Sequence, residues 1–177
     1  MIEIVGNQDI YFRIRESIPK AKAFVWLATA NIKDLYIEHK GKWIPFLEIL
    51  SELATRNVEL RLLHAKEAGP VFQKEFDRFP NLSHCLERTL CQRVHFKTII
   101  VDGIWAYSGS ANLTGAGLGS RSADKRNFET GFIFENEAQS IDLLMEQFDA
   151  VWRGDHCLRC YFKKTCPEYK ELAGLES

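Results

Sequence analysis

The run Val94 to Ser108, VHFKTIIVDGIWAYS, constrains the fold of this chain more than any other stretch. Valine, threonine and isoleucine crowd its first half, an Asp-Gly pair interrupts it, and Ile104 to Ser108 resumes it. β-Branched side chains suit a pleated strand and Asp-Gly suits a tight turn, so the run predicts a β-hairpin with strands over 94–101 and 104–108. A second constraint lies upstream. Ala23 to Ala30 (AFVWLATA) reads as a buried strand, and Val58 to Leu63 (VELRLL) as another. Between them Trp43, Phe46, Leu47, Leu50, Leu53 and Ala54 recur at steps of three and four. That spacing predicts an amphipathic helix over 43–56, with Pro45 tolerated in its first turn. Strand, helix, strand is a βαβ unit, so the class is α/β, a mixed β-sheet flanked by helices on both faces.

The remaining elements are weaker. Asp9 to Ala21 reads as a helix that Pro19 bends or ends, Glu67 to Leu90 as a short helix plus loop, and Phe128 to Phe134 as a strand. Glu137 to Trp152 has Ile141, Leu144, Met145, Phe148 and Trp152 on one helical face. Leu113 to Arg126, with three glycines and four charges, is expected to be an exposed mobile loop. The tryptophans at 26, 43, 105 and 152 are read as core. A length of 177 residues suits one domain with an appendage, and 46% hydrophobic residues exclude global disorder. We expect a catalytic domain over 1–154 and a cysteine-rich tail over 155–177.

Charge and termini narrow the function. Lysines and arginines number 23 against 24 acids, so no overall positive field exists and an anionic partner needs a local patch. No stretch reaches the roughly 20 apolar residues of a membrane span. The opening MIEIVGNQDIYFRIRES lacks the pattern of a secretory leader, so the expected location is cytoplasmic.

The hairpin carries the chemistry. His95, Lys97, Asp102, Gly109, Ser110 and Asn112 spell H-x-K-x4-D-x6-G-S-x-N. Six fixed positions give a chance expectation on the order of 10⁻⁶ to 10⁻⁵ in a chain of this length. Two residues apart on a strand, His95 and Lys97 share a face and offer it an imidazole and an ammonium. A phosphodiester asks for a nucleophile, an acid and donors to its oxygens, and Lys97, Ser110 and Asn112 are such donors. Asp102 next to Gly103 reads chiefly as a turn residue, with an ion pair to a nearby base as the alternative. Arg121, Lys125 and Arg126 are candidates for contacts to a polyanion or for a solvated loop.

The motif resembles the signature of the phospholipase D superfamily. The resemblance implies a histidine that attacks phosphorus to give a phosphohistidine, with no metal in catalysis. It places Asp102 in the catalytic set and assigns Glu129, in RNFETG, as the acceptor that orients the histidine. It also implies a second histidine as acid, whereas this chain holds one copy of the motif. His64-Ala65-Lys66 has Val71 where the aspartate belongs and no G-S-x-N after it. Short single-motif members resemble nucleases that share one site in a homodimer, so nucleic acid and a second copy are the expected partners. The competing expectations are a lipid-directed phospholipase or phosphatidyl transferase, and a binding module that keeps the fold without the chemistry.

Cys157-x2-Cys160-x5-Cys166-Pro167 brings three thiols close in sequence. In a reducing compartment that pattern favours metal ligation over disulfides. The run HCLRCYFKKTCP resembles the C-terminal cysteine run of iron-sulfur nucleases. A structural zinc ion or iron-sulfur cluster is expected there, with Cys91 the first choice of fourth ligand and Cys85 or His156 left open.

Overall fold

A computed structural model describes residues 1–33 and 35–169, so residues 170–177 of the expected tail lie outside the described residues. The chain runs β1 (Ile2–Gly6), α1 (Gln8–Ser17), β2 (Phe24–Thr29), β3 (Tyr36–His39), β4 (Lys42–Pro45) and α2 (Phe46–Thr55). It continues β5 (Glu59–His64), α3 (Pro70–Phe76), α4 (Leu82–Cys85), β6 (Leu86–Leu90), β7 (Lys97–Val101), β8 (Trp105–Gly109), β9 (Thr130–Glu135) and α5 (Ala138–Trp152). Seven strands form one mixed sheet in the order β1-β9-β8-β7-β2-β5-β6, and β3 pairs with β4 as a separate hairpin. The expected βαβ unit is β2-α2-β5, whose strands pair in parallel from Phe24 with Glu59 to Thr29 with His64.

Alternation along the strands splits the core into two layers. Val25, Leu27, Leu60, Leu62, Ile99, Val101 and Tyr107 face α1, α2 and the segments between them. Trp26, Ala28, Leu63, Ile100 and Ala106 face α5, which inserts Ile141 and Phe148. Helices thus lie on both faces. Toward the β1 edge the α5 face is open: Ile4 and Phe132, directly paired across strands, are 73% and 46% exposed.

Four expectations need correction. The helix expected over 43–56 begins at Phe46, because Lys40 and Gly41, both with positive φ, turn the chain and send Lys42–Pro45 back as β4. Trp43 is consequently on the surface at 56% exposure, not in the core. The strand expected over 94–101 starts only at Lys97, which leaves His95 ahead of the sheet. The loop after Leu113 is not mobile surface over its first half. Leu113 and Leu118 are buried there, and a side chain at Gly117 would strike the Asn112 backbone, so this glycine serves close packing. Only the stretch from Arg121 to Lys125 is exposed. The segment read as helix plus loop ends in the edge strand β6, and β1 adds a strand that the sequence pattern did not single out.

Candidate active site

The sheet has two ends, and the motif is divided between them. β2, β5 and β6 end where β7 begins, since β2 pairs antiparallel with β7 and Ala28 faces Thr98. Lys97 pairs with Gly109, and Gly109 with Gly131, so the start of β7, the end of β8 and the start of β9 also meet at this end. A crevice outside the carboxyl ends of parallel strands is the usual place for a ligand in an open α/β sheet.

His95 is exposed and Lys97 is buried beside it, at 7% exposure. Lys97 Nζ donates to the His95 carbonyl at 2.5 Å and lies 3.4 Å from its Nδ1. Burial pulls the Lys97 ammonium below the ordinary lysine value, while the negative charge of Glu129 pushes it back up. Glu129 therefore reaches Lys97 electrostatically across β8. Its hydrogen bonds, however, go elsewhere: one carboxylate oxygen accepts from the Ser110 hydroxyl, the other from Asn127 Nδ2 at 3.0 Å. The expected Glu129 to His95 bond is not among them. Asn7 holds the Glu129 backbone on both sides, donating its N–H to the Glu129 carbonyl at 2.9 Å and accepting the Glu129 N–H on Oδ1 at 3.2 Å. Sequence reading missed Asn7, which no local pattern could link to a residue so far along the chain.

Asn112 is half-buried, and its amide oxygen accepts from the Asn31 N–H at 3.0 Å and the Thr29 hydroxyl at 3.3 Å. What it has left is an NH₂ group, a donor suited to a phosphate oxygen. Glycine is required at the end of β8 because Tyr107, fully buried, lies under it: a side chain at Gly109 or Gly131 would collide with the Tyr107 ring or hydroxyl. Burial raises the Tyr107 phenol to about 12, and its oxygen accepts the Ala111 N–H at 3.2 Å. The sequence of this turn is thus fixed by how the chain packs over one ring.

Asp102 stands apart. It follows the far end of β7, about 17 Å from Lys97 at the rise of a strand. Its carboxylate accepts three backbone N–H groups, from Lys22 and Ala23 at 2.8 Å and Phe24 at 2.9 Å. With Gly103 it forms the turn, at φ of 53° and 67°. Its place in the catalytic set is corrected: it ties the hairpin to the start of β2 and stays out of the site. His64 ends β5 at the site end, about 10 Å across the sheet from β7. Its Nδ1–H donates to the Lys66 carbonyl at 2.7 Å, which leaves Nε2 as the other ring nitrogen.

Beside the site runs a groove of about 350 Å³ lined by Tyr11, Phe12, Trp43, Arg121 and Arg126 together with polar groups. Arg126 donates to Gln8 at 2.8 Å, next to the Asn7 that holds Glu129, so the groove opens at the catalytic end. Lys125, also expected to bind substrate, is exposed and does not line it.

A family profile described as "Cardiolipin synthase, PLD-like domain" matches residues 14–152. The chain belongs to the phospholipase D superfamily. Among solved structures, Nuc from Salmonella typhimurium, a phospholipase D family member, superposes with a TM-score of 0.64 at 16% identity over 86% of this chain and 93% of its own. NucT from Helicobacter pylori does so with a TM-score of 0.59 at 13% identity, over 84% and 94%. TrmBL2, an archaeal chromatin protein with a novel mode of DNA binding, gives a TM-score of 0.60 at 14% identity over 85% of this chain and 51% of its own. No curated protein matches by sequence. Among the described residues, no helix of this phospholipase D-like chain is long and apolar enough to cross a membrane.

The cysteines form a second centre on the other side of the segment that carries His95. All five are free thiols, and Cys91, Cys157, Cys160 and Cys166 line one cavity of about 230 Å³. Burial raises the Cys91 and Cys157 thiols above the usual value, and the neighbouring thiols add to it. Cys85 is exposed and outside the cavity, whereas His156 lines it. Among the described residues, no three His, Cys, Asp or Glu side chains stand close enough to share one metal ion.

Proposed function

We propose that this protein is a phosphodiesterase of nucleic acid, an endonuclease working through a phosphohistidine in a site completed by a second copy of the chain. The observation that carries the reading is the gathering of His95, Lys97, Ser110, Asn112 and Glu129 at one end of the sheet. An imidazole nitrogen of His95 attacks phosphorus as the bond to the leaving oxygen breaks. Lys97 and the Asn112 amide neutralise the non-bridging oxygens, where charge builds up. An acid protonates the leaving oxygen; water, activated by the same group as a base, then attacks the phosphohistidine and releases His95. Glu129 steadies the Ser110 hydroxyl and the Lys97 cation. This scheme uses no metal ion.

One chain presents one exposed motif histidine, and the acid is assigned to the partner copy's own motif. The exposed pair Ile4 and Phe132, with Phe128 at 98% exposure, adjoins the start of β9 and supplies an apolar patch for that contact. The aromatic and arginine groove favours nucleic acid over lipid, because flat bases stack on Trp43 and Phe12 while arginines meet the backbone. Stacking needs unpaired bases, so single strands are the preferred substrate.

The test is an assay of the purified chain in EDTA against single-stranded DNA, duplex DNA, RNA and phosphatidylcholine vesicles, alongside sedimentation. Cleavage of single strands by a dimer supports the reading. Hydrolysis of phosphatidylcholine alone overturns the substrate, and binding without cleavage overturns the enzyme. An active monomer overturns the shared site, and His64→Ala would then be the variant to examine.

A further inference from the structure

The cysteine cavity takes no part in the chemistry above, yet its composition is unusual. Four thiols from two distant parts of the chain, Cys91 and the trio after α5, surround one hollow among Val94, Phe96, Val151 and Phe162. The tail contributes little burial of its own, since Leu158 and Tyr161 face outward at 67% and 90% exposure. Its described side-chain bond to the body of the protein is Glu168 accepting the Leu90 N–H at 3.4 Å. Neither disulfides nor a large apolar interface explains why the thiols gather.

Two observations discriminate among ligands. A single tetrahedral zinc bonds sulfur at about 2.3 Å, which puts its ligand sulfurs about 3.8 Å apart. Among the described residues no three ligating side chains are that close, yet four thiols face the same space. A cluster distributes its ligands, one thiolate to each iron, and so holds four sulfurs around a wider volume. Arg93 and Lys163 also line the cavity and offset the negative charge of four thiolates. We propose that Cys91, Cys157, Cys160 and Cys166 ligate a four-iron, four-sulfide cluster that staples the tail to the segment leading into β7. The cluster is structural. Cys91 is four residues before His95, and Gln92, Arg93, Val94 and Phe96 share the cavity wall, so the staple fixes a stretch that lies outside the ladder of the sheet.

The experiment is anaerobic purification of the full chain, followed by iron, zinc and acid-labile sulfide analysis with a visible spectrum. The expected result is a brown protein with about four irons and about four sulfides per chain. Cys157→Ser and Cys166→Ser should lose the colour and expose the 155–169 segment to limited proteolysis; Cys85→Ser should keep both colour and protection. One zinc per chain without sulfide overturns the cluster. Five titratable thiols with only trace metal overturn any metal site. Full colour in Cys91→Ser, with loss in His156→Ala, overturns the ligand set. Because these readouts are spectroscopic and structural, they stand or fall separately from phosphodiester cleavage.

Discussion

The two ends of β7 are five residues apart and carry groups from the same motif, yet they are built in opposite ways. At the turn end Asp102 has spent its acceptors on three backbone N–H groups. At the site end His95 is exposed, Lys97 is buried next to a carboxylate that it does not bond, and Asn112 keeps a free amide NH₂. A satisfied polar group holds a fold together, whereas an unsatisfied one held in place is ready to bind something else. A shared sequence motif therefore does not imply a shared role.

Substitutions at the two ends separate these roles. His95→Ala should lower turnover of bis(p-nitrophenyl) phosphate by more than about a thousandfold while leaving the unfolding midpoint almost unchanged, because the side chain is exposed and supplies a covalent step. Lys97→Met should cost about 10²–10³ in kcat, the scale of losing one charged donor to the transition state. Asp102→Ala should do the reverse: denaturation in urea should reveal a loss of about 2–3 kcal/mol from removing the acceptor of three backbone bonds, with turnover per folded molecule kept. Loss of turnover in folded Asp102→Ala protein would break the comparison. Trp43→Ala sharpens it on the substrate side, with single-stranded oligonucleotide affinity falling about tenfold and the small substrate untouched.

The smallest effect is on pH. Activity needs the Lys97 cation, which burial disfavours, so the rate should fall with rising pH before the ordinary lysine value of about 10.4 is reached. Glu129 opposes that shift, and Glu129→Gln should move the alkaline limb lower still. Lys97→Arg should push it beyond the measurable range. A limb at the same pH in all three proteins would remove Lys97 as its source.

Legibility from sequence followed how local the cause was. The hairpin was readable because its β-branched run and Asp-Gly turn act over a few residues. The motif placed Lys97, Ser110 and Asn112 at one end without any coordinates, and the proximity of Cys91 to the tail was anticipated from the need for a fourth thiol. The β3-β4 hairpin was hidden because Trp43 happens to continue the helical spacing of Phe46 and Leu47, and its Lys40-Gly41 turn was the signal overlooked. Glu129 was found, yet its partner was not. Nothing near RNFETG says that the carboxylate will meet Ser110, or that Asn7 will hold its backbone.

That last contact has a consequence for how the protein is made. β1 pairs only with β9, Gly6 lying opposite Thr130, so the first strand to leave the ribosome has no neighbour until nearly the last one follows. At roughly 5–20 residues per second the wait is about 6 to 25 s. His95 and Lys97 emerge during that interval, before Glu129 exists to be anchored or β9 to flank Ser110. A chain stalled before Thr130 carries the signature of the enzyme without its centre. Sheet topology thus delays assembly of the site until translation is almost over, and an aborted product is harmless by construction.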